Sequence, residues 1–274
     1  MAAGCDRMGL LARWATSAWA ACREAVFPAR CLECGQFLAP ASADVLPAAP
    51  AAADALRLLG PHFCPGCLQG VLRVGHPLCP GCGVMFKGGV GEDHVCGRCL
   101  ETPPPFHMAR AAFVYDRSLV DVIHCFKYKG KTQLARPLGV LLFEAFERYW
   151  GRAPVDVVLP VPLHRRRLKE RGFNQALLLV RRWPPRPGMP KVPVDTDVLR
   201  RARATAPQAG LGRRGRQANI AGAFALRHPE RVAGRHILLV DDVITTGATA
   251  GECARLLLNN GAARVDVLAL ARVI

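Results

Sequence analysis

The sequence predicts an α/β domain with a largely parallel sheet, preceded by a small cysteine-rich region, and three observations predict it. Eight of the twelve cysteines fall into four Cys-x-x-Cys pairs before residue 100. After residue 106, short apolar runs alternate with stretches of helical period, the pattern of strands joined by crossover helices. One apolar run, His236-Ile-Leu-Leu-Val240, ends on Asp241-Asp242 and passes through Thr245-Thr-Gly-Ala-Thr249 into the next helical stretch.

The 274 residues allow one large domain or two modest ones, and with 51% apolar residues a substantial core can form. No apolar run approaches the roughly 20 residues that span a bilayer, so no membrane insertion is expected and the reading is cytoplasmic. The segment Met8–Cys22 is apolar enough to resemble a secretory signal faintly. Arg13 interrupts it, however, and Leu10, Trp14, Ser17 and Ala21 recur at helical spacing. An N-terminal amphipathic helix over residues 1–28 is therefore expected.

Charge is segregated. Residues 1–105 carry 8 basic and 8 acidic side chains, leaving 29 and 13 of the chain's 37 and 21 for residues 106–274. Residues 160–216 alone hold 15 basic against 3 acidic. A solvated surface has no reason to segregate in this way, so the second half is expected to meet an anionic partner, a polyphosphate or a nucleic acid.

The cysteine pairs are Cys31/Cys34, Cys64/Cys67, Cys79/Cys82 and Cys96/Cys99. Two cysteines three positions apart in a tight turn aim both sulfurs at one point, and two such turns make a tetrahedral four-sulfur site, the ligand set of structural zinc. A disulfide framework and an iron–sulfur centre are the competing chemistries. Sequential pairing, 31/34/64/67 and 79/82/96/99, is favoured because 79–99 is a compact unit; alternate pairing in a cross-braced arrangement stays open. The first site closes across an Ala/Pro-rich insertion at 39–61. Pro103-Pro104-Pro105 then stiffens the chain, which places a boundary near 105: a double zinc region over 29–105 and an α/β domain over 106–274.

Within the second half, strands are expected at Ala109–Tyr115, Val155–Val161, His236–Asp241 and Val265–Leu270. Helices are expected at Ser118–Phe126, Pro137–Trp150, Asn174–Arg182 and Ala248–Asn259. Ligands of parallel sheets bind at the carboxyl ends of the strands. There Asp241 and Asp242 can accept from the vicinal hydroxyls of a ribose. Thr245, Thr246, Gly247, Ala248 and Thr249 open a helix whose N-terminal amides and dipole suit a phosphate. A P-loop is excluded, since no Gly-Lys-Ser/Thr is present.

The 236–249 segment resembles the phosphoribosyl-pyrophosphate (PRPP) signature of type I phosphoribosyltransferases, and the chain as a whole resembles the ComF family, which joins four-cysteine zinc ribbons to such a domain. Beyond the signature and the cysteines, the resemblance rests on Phe126-Lys-Tyr-Lys-Gly130, Pro160-Val-Pro-Leu163, Arg171-Gly-Phe-Asn-Gln175, Arg201-Ala-Arg-Ala-Thr205 with Gln208, and Arg213 through Asn219. It implies a type I phosphoribosyltransferase fold, a parallel sheet with flanking helices, behind a zinc-ribbon region. It further implies a pyrophosphate loop after Val161 with Arg165, Arg166 and Arg167 as candidates. A flexible loop over 200–219 would close on PRPP, with Arg201, Arg203, Thr205 and Gln208 as candidates. Lys127, Lys129, Arg171, Asn174 and Gln175 are further cleft candidates, and Mg²⁺ would accompany PRPP.

Two functions follow. One is phosphoribosyl transfer to an unidentified acceptor. The other is nucleic-acid binding in DNA uptake, with single-stranded DNA or uptake proteins as partners. Residues 160–216 offer only Phe173 and Trp183 for base stacking. A zinc-ribbon adaptor for a protein partner is a third reading.

Overall fold

The computed structural model describes residues 28–38, 55–86, 88–151, 153–186, 188–205 and 212–274. The helix expected over 1–28, Pro28 apart, lies outside them, as do residues 39–54 of the expected insertion. The chain forms two compact units, Met1–Gln69 and Gly70–Ile274.

In the first unit the end of the expected insertion is ordered. Ala55–Leu59 makes a 3₁₀ turn whose Leu59, with the nearby Phe63, is buried. The helix α1 (Pro65–Leu68) starts directly after Cys64, with proline at the position where a missing N–H costs nothing.

The second unit runs α2 (Gly97–Glu101), β1 (Met108–Val114), α3 (Arg117–Tyr128), α4 (Ala135–Trp150), β2 (Val157–Pro160), α5 (Arg165–Arg171), α6 (Gln175–Val180), β3 (Leu199–Arg201), α7 (Arg213–Ile220), β4 (Phe224–Leu226), β5 (His236–Ile244), α8 (Ala248–Asn259) and β6 (Arg264–Arg272). Four strands form one parallel sheet in the order β1-β6-β5-β2. Alternation sorts its side chains. Ile237, Leu239, Val265, Val267 and Ala269 share a core with Ala250, Cys253, Ala254 and Leu257 of α8. Their neighbours Leu238, Val240, Leu268 and Leu270 point to the other face, which α4 and α6 cover. With both faces covered, the strands are continuous apolar runs, so they were legible in the sequence.

The units do not divide near residue 105. They divide between Gln69 and Gly70, because β1 needs a cover for its outer edge. Val74 N–H donates to Ala112 O at 3.1 Å, Val114 N–H to Leu72 O at 2.8 Å and Ala109 N–H to Gly81 O at 2.8 Å. Gly83, at φ 69°, packs so closely that a Cβ there would stand 2.2 Å from the Ala109 carbonyl oxygen. The second cysteine group is thus part of the sheet's own unit.

Three elements depart from expectation. Arg165–Arg171 is helix rather than loop. The stretch expected to be one loop over 200–219 includes the end of β3 and most of α7, and β3 pairs antiparallel with β4 as Leu199↔Leu226 and Arg201↔Phe224. β5 continues past the two acids to Ile244. Neither α5 nor α7 has a wide apolar stripe, so helical periodicity could not announce them.

At the amino end of the sheet lies a buried carboxylate. Asp266 is fully buried and accepts from Trp150 Nε1 at 2.7 Å, from Arg264 Nε at 3.0 Å and from Arg264 Nη2 at 2.9 Å. His236 Nε2 lies 2.8 Å and His107 Nδ1 3.2 Å from its oxygens. Burial alone would raise its pKa, but these donors outweigh it and hold the group well below the usual carboxylate range.

Candidate active site

The carboxyl ends of β2 and β5 open into a cleft of about 760 Å³. Its floor carries Asp241 and Asp242. Asp241 accepts from the Asp242 N–H at 2.9 Å, and Asp242 Oδ1 lies 2.8 Å from Lys127 Nζ, both side chains largely buried. Burial, then the adjacent Asp242 charge, pushes the Asp241 carboxyl up to about 7. Burial works against the Lys127 charge, but Asp242 outweighs it and the lysine is raised. The floor thus sets two adjacent acids against Lys127, which pairs with Asp242.

Beyond Ile244 the chain turns through Thr245 and Thr246 to Gly247, the N-cap of α8, at φ 79° in the left-handed region that favours glycine. The N-terminal amides of α8 have no partners within the helix. Thr245, Gly247, Ala248, Thr249 and Ala250 line a small hollow against Asp241. Thr246 does not line the hollow; its Oγ1 accepts from the Ala248 N–H at 3.4 Å.

The opposite wall is basic. Arg167 of α5 and Arg201 of β3 both line the cleft. Arg201 is buried, and its Nε finds no partner among the described residues. It hydrogen-bonds Thr205 Oγ1 and stands over the Phe224 ring at 5.5 Å. Burial, then the like charge of Arg167, lowers its pKa. Arg171 lines the cleft too, over the exposed Tyr128 ring at 4.8 Å. Asn174 braces the wall: its Nδ2 donates to Val161 O at 3.1 Å, and its Oδ1 caps α6 by accepting from Leu177 N–H at 3.4 Å. Gln175 lines the cleft while almost fully buried, with an Nε2 that finds no acceptor among the described residues.

Of the candidates, Asp241, Asp242, Thr245, Gly247, Ala248, Thr249, Lys127, Arg167, Arg171, Asn174, Gln175 and Arg201 come together here. Others do not. Arg165 is exposed on α5; Arg166 is exposed and pairs with Glu170 at 3.1 Å. Arg203 is spent on the Asn219 and Ala221 carbonyls at 3.1 and 2.6 Å. Lys129 is exposed past the end of α3 and does not line the cleft. Thr205 acts through Arg201, and Gln208 lies outside the described residues. Tyr115, Tyr128, Glu170 and Arg216 also line the cleft and were not singled out; Arg216 sits inside the quoted Arg213–Asn219 segment, the one signal that pointed to it. Phe173 is half-buried beside Phe126, and Trp183 is buried and presents no face for stacking.

The cysteines group as Cys31/Cys34/Cys64/Cys67 and Cys79/Cys82/Cys96/Cys99, the ligand atoms of each group within 4.8 Å of one another. Pairing is thus sequential, not cross-braced. Cys34 and Cys64 sulfurs lie 3.7 Å apart, as do those of Cys82 and Cys96. Zinc bonds of about 2.3 Å in a tetrahedron put sulfurs about 3.8 Å apart, so both groups fit that ion. Purified under reducing, chelator-free conditions, the protein is expected to carry two zinc ions per chain by elemental analysis. A content near zero would refute the metal assignment, and one ion would leave a single centre.

Residues 189–273 match the family model described as phosphoribosyl transferase domain. The chain is 39% identical over 209 residues to the DNA utilization protein YhgH of Escherichia coli K12, covering 74% of this chain and 87% of that protein. It is 31% identical over 218 residues to competence protein F of Haemophilus influenzae, covering 77% and 90%, and 28% identical over 214 residues to competence protein ComFC of Streptococcus pneumoniae, covering 78% and 82%. Among the described residues no helix is long and apolar enough to cross a membrane.

Proposed function

The chain belongs to the ComF family, and from that premise we propose that the cleft binds PRPP with Mg²⁺ and serves phosphoribosyl transfer in a protein of DNA uptake. The observation that carries the reading is the polarity of one cleft: Asp241 and Asp242 on the floor, the α8 N-terminal loop beside them, and Arg167 and Arg201 on the facing wall.

Each part suits one part of PRPP. The two acids accept from the ribose 2- and 3-hydroxyls. The amides of 245–249 receive the 5-phosphate, as helix N-termini do. Arg167 and Arg201 face the pyrophosphate, and the Nε of Arg201, unpartnered among the described residues, supplies a donor already desolvated for it. Gln175 offers its Nε2 in the same wall. Mg²⁺ would bring charge neutralisation to the pyrophosphate oxygens. In transfer the bond from C1 to the pyrophosphate oxygen breaks, the electron pair leaves with pyrophosphate, and an acceptor's lone pair closes on C1. The arginines stabilise the departing charge. Calorimetric titration of PRPP and Mg²⁺ into the full chain tests the reading, with pyrophosphate release reporting transfer; a folded, zinc-loaded chain that takes up no PRPP would overturn it.

A second reading is favoured by a specific observation, the 15 basic residues against 3 acidic over 160–216. One PRPP does not need so much charge. We infer that single-stranded DNA is held by the exposed face of α5, where Arg165 and Arg166 are exposed and do not line the cleft. Binding should weaken steeply with salt through counterion release. Replacing Arg165 and Arg166 together should flatten the log–log salt slope by about 1.4, at roughly 0.7 per phosphate contact on a single strand. An affinity indifferent to salt would refute this electrostatic account.

A further inference from the structure

Proteins that hold single strands join a basic groove to aromatic side chains on which bases stack. Residues 160–216 supply the charge but no open ring, since Phe173 is half-buried and Trp183 buried. The fold brings one from outside that stretch. Tyr128, the last residue of α3, is 61% exposed. Among the described residues of the second unit it is the one exposed phenylalanine, tyrosine or tryptophan. Phe126, two residues earlier, is fully buried, so the same helix does send a ring into the core.

Tyr128 is joined to α5 directly. Arg171, the last residue of α5, stands over its ring at 4.8 Å and donates from Nη2 to its hydroxyl at 3.3 Å. His124, one turn back on α3 and exposed, meets the ring in a T-shaped contact at 4.8 Å. Both Tyr128 and Arg171 line the cleft. The surroundings are cationic: Lys129 follows the ring and is exposed, as are Arg165, Arg166 and Lys169 on α5. An apolar protein surface would have to desolvate those charges at a cost. A single strand suits them, because its flat bases come with phosphates.

We propose that Tyr128 is the stacking platform for one base of the single strand held on α5, at the rim where α5 meets the cleft. The inference rests on the single-strand reading of α5 and is independent of whether the cleft takes PRPP. Arg171 positions the ring, and the cations of α5 and Lys129 serve the backbone on either side of it.

The test titrates labelled oligothymidine, and an abasic strand of the same length, into the full-length, zinc-loaded protein. The parent should prefer oligothymidine by about 5- to 140-fold, the equivalent of about 1–3 kcal/mol for one stacked base. Tyr128→Leu should lose that preference and keep the parent's salt slope, because a neutral ring releases no counterion. Tyr128→Phe and Tyr128→Trp keep a ring and should keep the preference. The fluorescence that Tyr128→Trp adds should be quenched by oligothymidine and not by the abasic strand. Oligothymidine bound as tightly by folded Tyr128→Leu as by the parent overturns the proposal while leaving the α5 reading in place, and so does a parent that binds the two strands equally. A parent that binds neither strand overturns both. Displacement of the bound strand by thymidine at equal base concentration would make Tyr128 the seat of a free base and overturns the strand proposal.

Discussion

Asp241→Asn is expected to weaken PRPP binding about 10- to 100-fold while leaving the protein folded and zinc-loaded, and Asp241→Asn with Asp242→Asn to weaken it at least about 100-fold. Each charge-assisted hydrogen bond from a ribose hydroxyl contributes roughly 1.5–3 kcal/mol, and about 1.4 kcal/mol is a factor of ten. The two acids differ in what they do for the fold. Asp241 is held up at about 7 by burial and by Asp242. Between the ordinary carboxylate value and about 7 the folded state binds more protons than the unfolded one, so this group's contribution to stability falls as pH rises through that window. Asp241→Asn removes the liability, and the variant should melt no lower than the parent at pH 8. Asp242 instead neutralises Lys127 at 2.8 Å. Asp242→Asn strands a largely buried ammonium and should cost about 1–3 kcal/mol; adding Lys127→Met should recover the melting temperature without recovering binding. Calorimetric titration beside thermal melting reads all four variants. Tight PRPP binding by folded Asp241→Asn would remove the cleft from consideration.

The largest expected effect on stability lies at the other end of the sheet. Asp266→Asn puts an amide among donors, including Trp150 Nε1 and Arg264, that now converge on a buried carboxylate. Removing one member of a buried charged pair costs about 3–5 kcal/mol. In a unit of this size that lowers the melting temperature by roughly 6–20 °C. The pH dependence has the opposite sign to that of Asp241. The depressed folded pKa means the unfolded state binds the proton first as pH falls. Stability from Asp266 is therefore complete above the ordinary carboxylate range and is lost in acid. The parent should lose stability on going from pH 5 to pH 3 more steeply than the variant. Melting of the variant within a degree or two of the parent would show that the network is not stabilising.

Local grammar made some of the site legible. The run into Asp241-Asp242 and the small-residue turn to Ala248 appear as expected, because a strand buried on both faces must be apolar and a helix opening on a phosphate must be small. The cysteine pairs were legible because two sulfurs in one tight turn are a local arrangement, and sequential grouping follows from the short reach of 79–99. What the residues could not announce lies far apart in sequence. Lys127 meets Asp242 across 115 positions, and Arg201 enters the cleft from a short hairpin with Phe224. Among Arg165, Arg166 and Arg167 the residue types are identical. Only the helical turn of α5 decides that the third lines the cleft and the second pairs with Glu170.

By itself, then, the sequence determined the family, the two four-cysteine groups and the strand–loop–helix that opens on the cleft, since each is written within a few dozen consecutive residues. Tertiary structure alone decided where the units divide, which arginines face the cleft and which ion pairs set the charge of its floor. The physical reason is range. Periodicity and turn chemistry act over one or two turns of chain, whereas edge covering, desolvation and charge pairing depend on which distant segments the assembled sheet brings within a few ångströms.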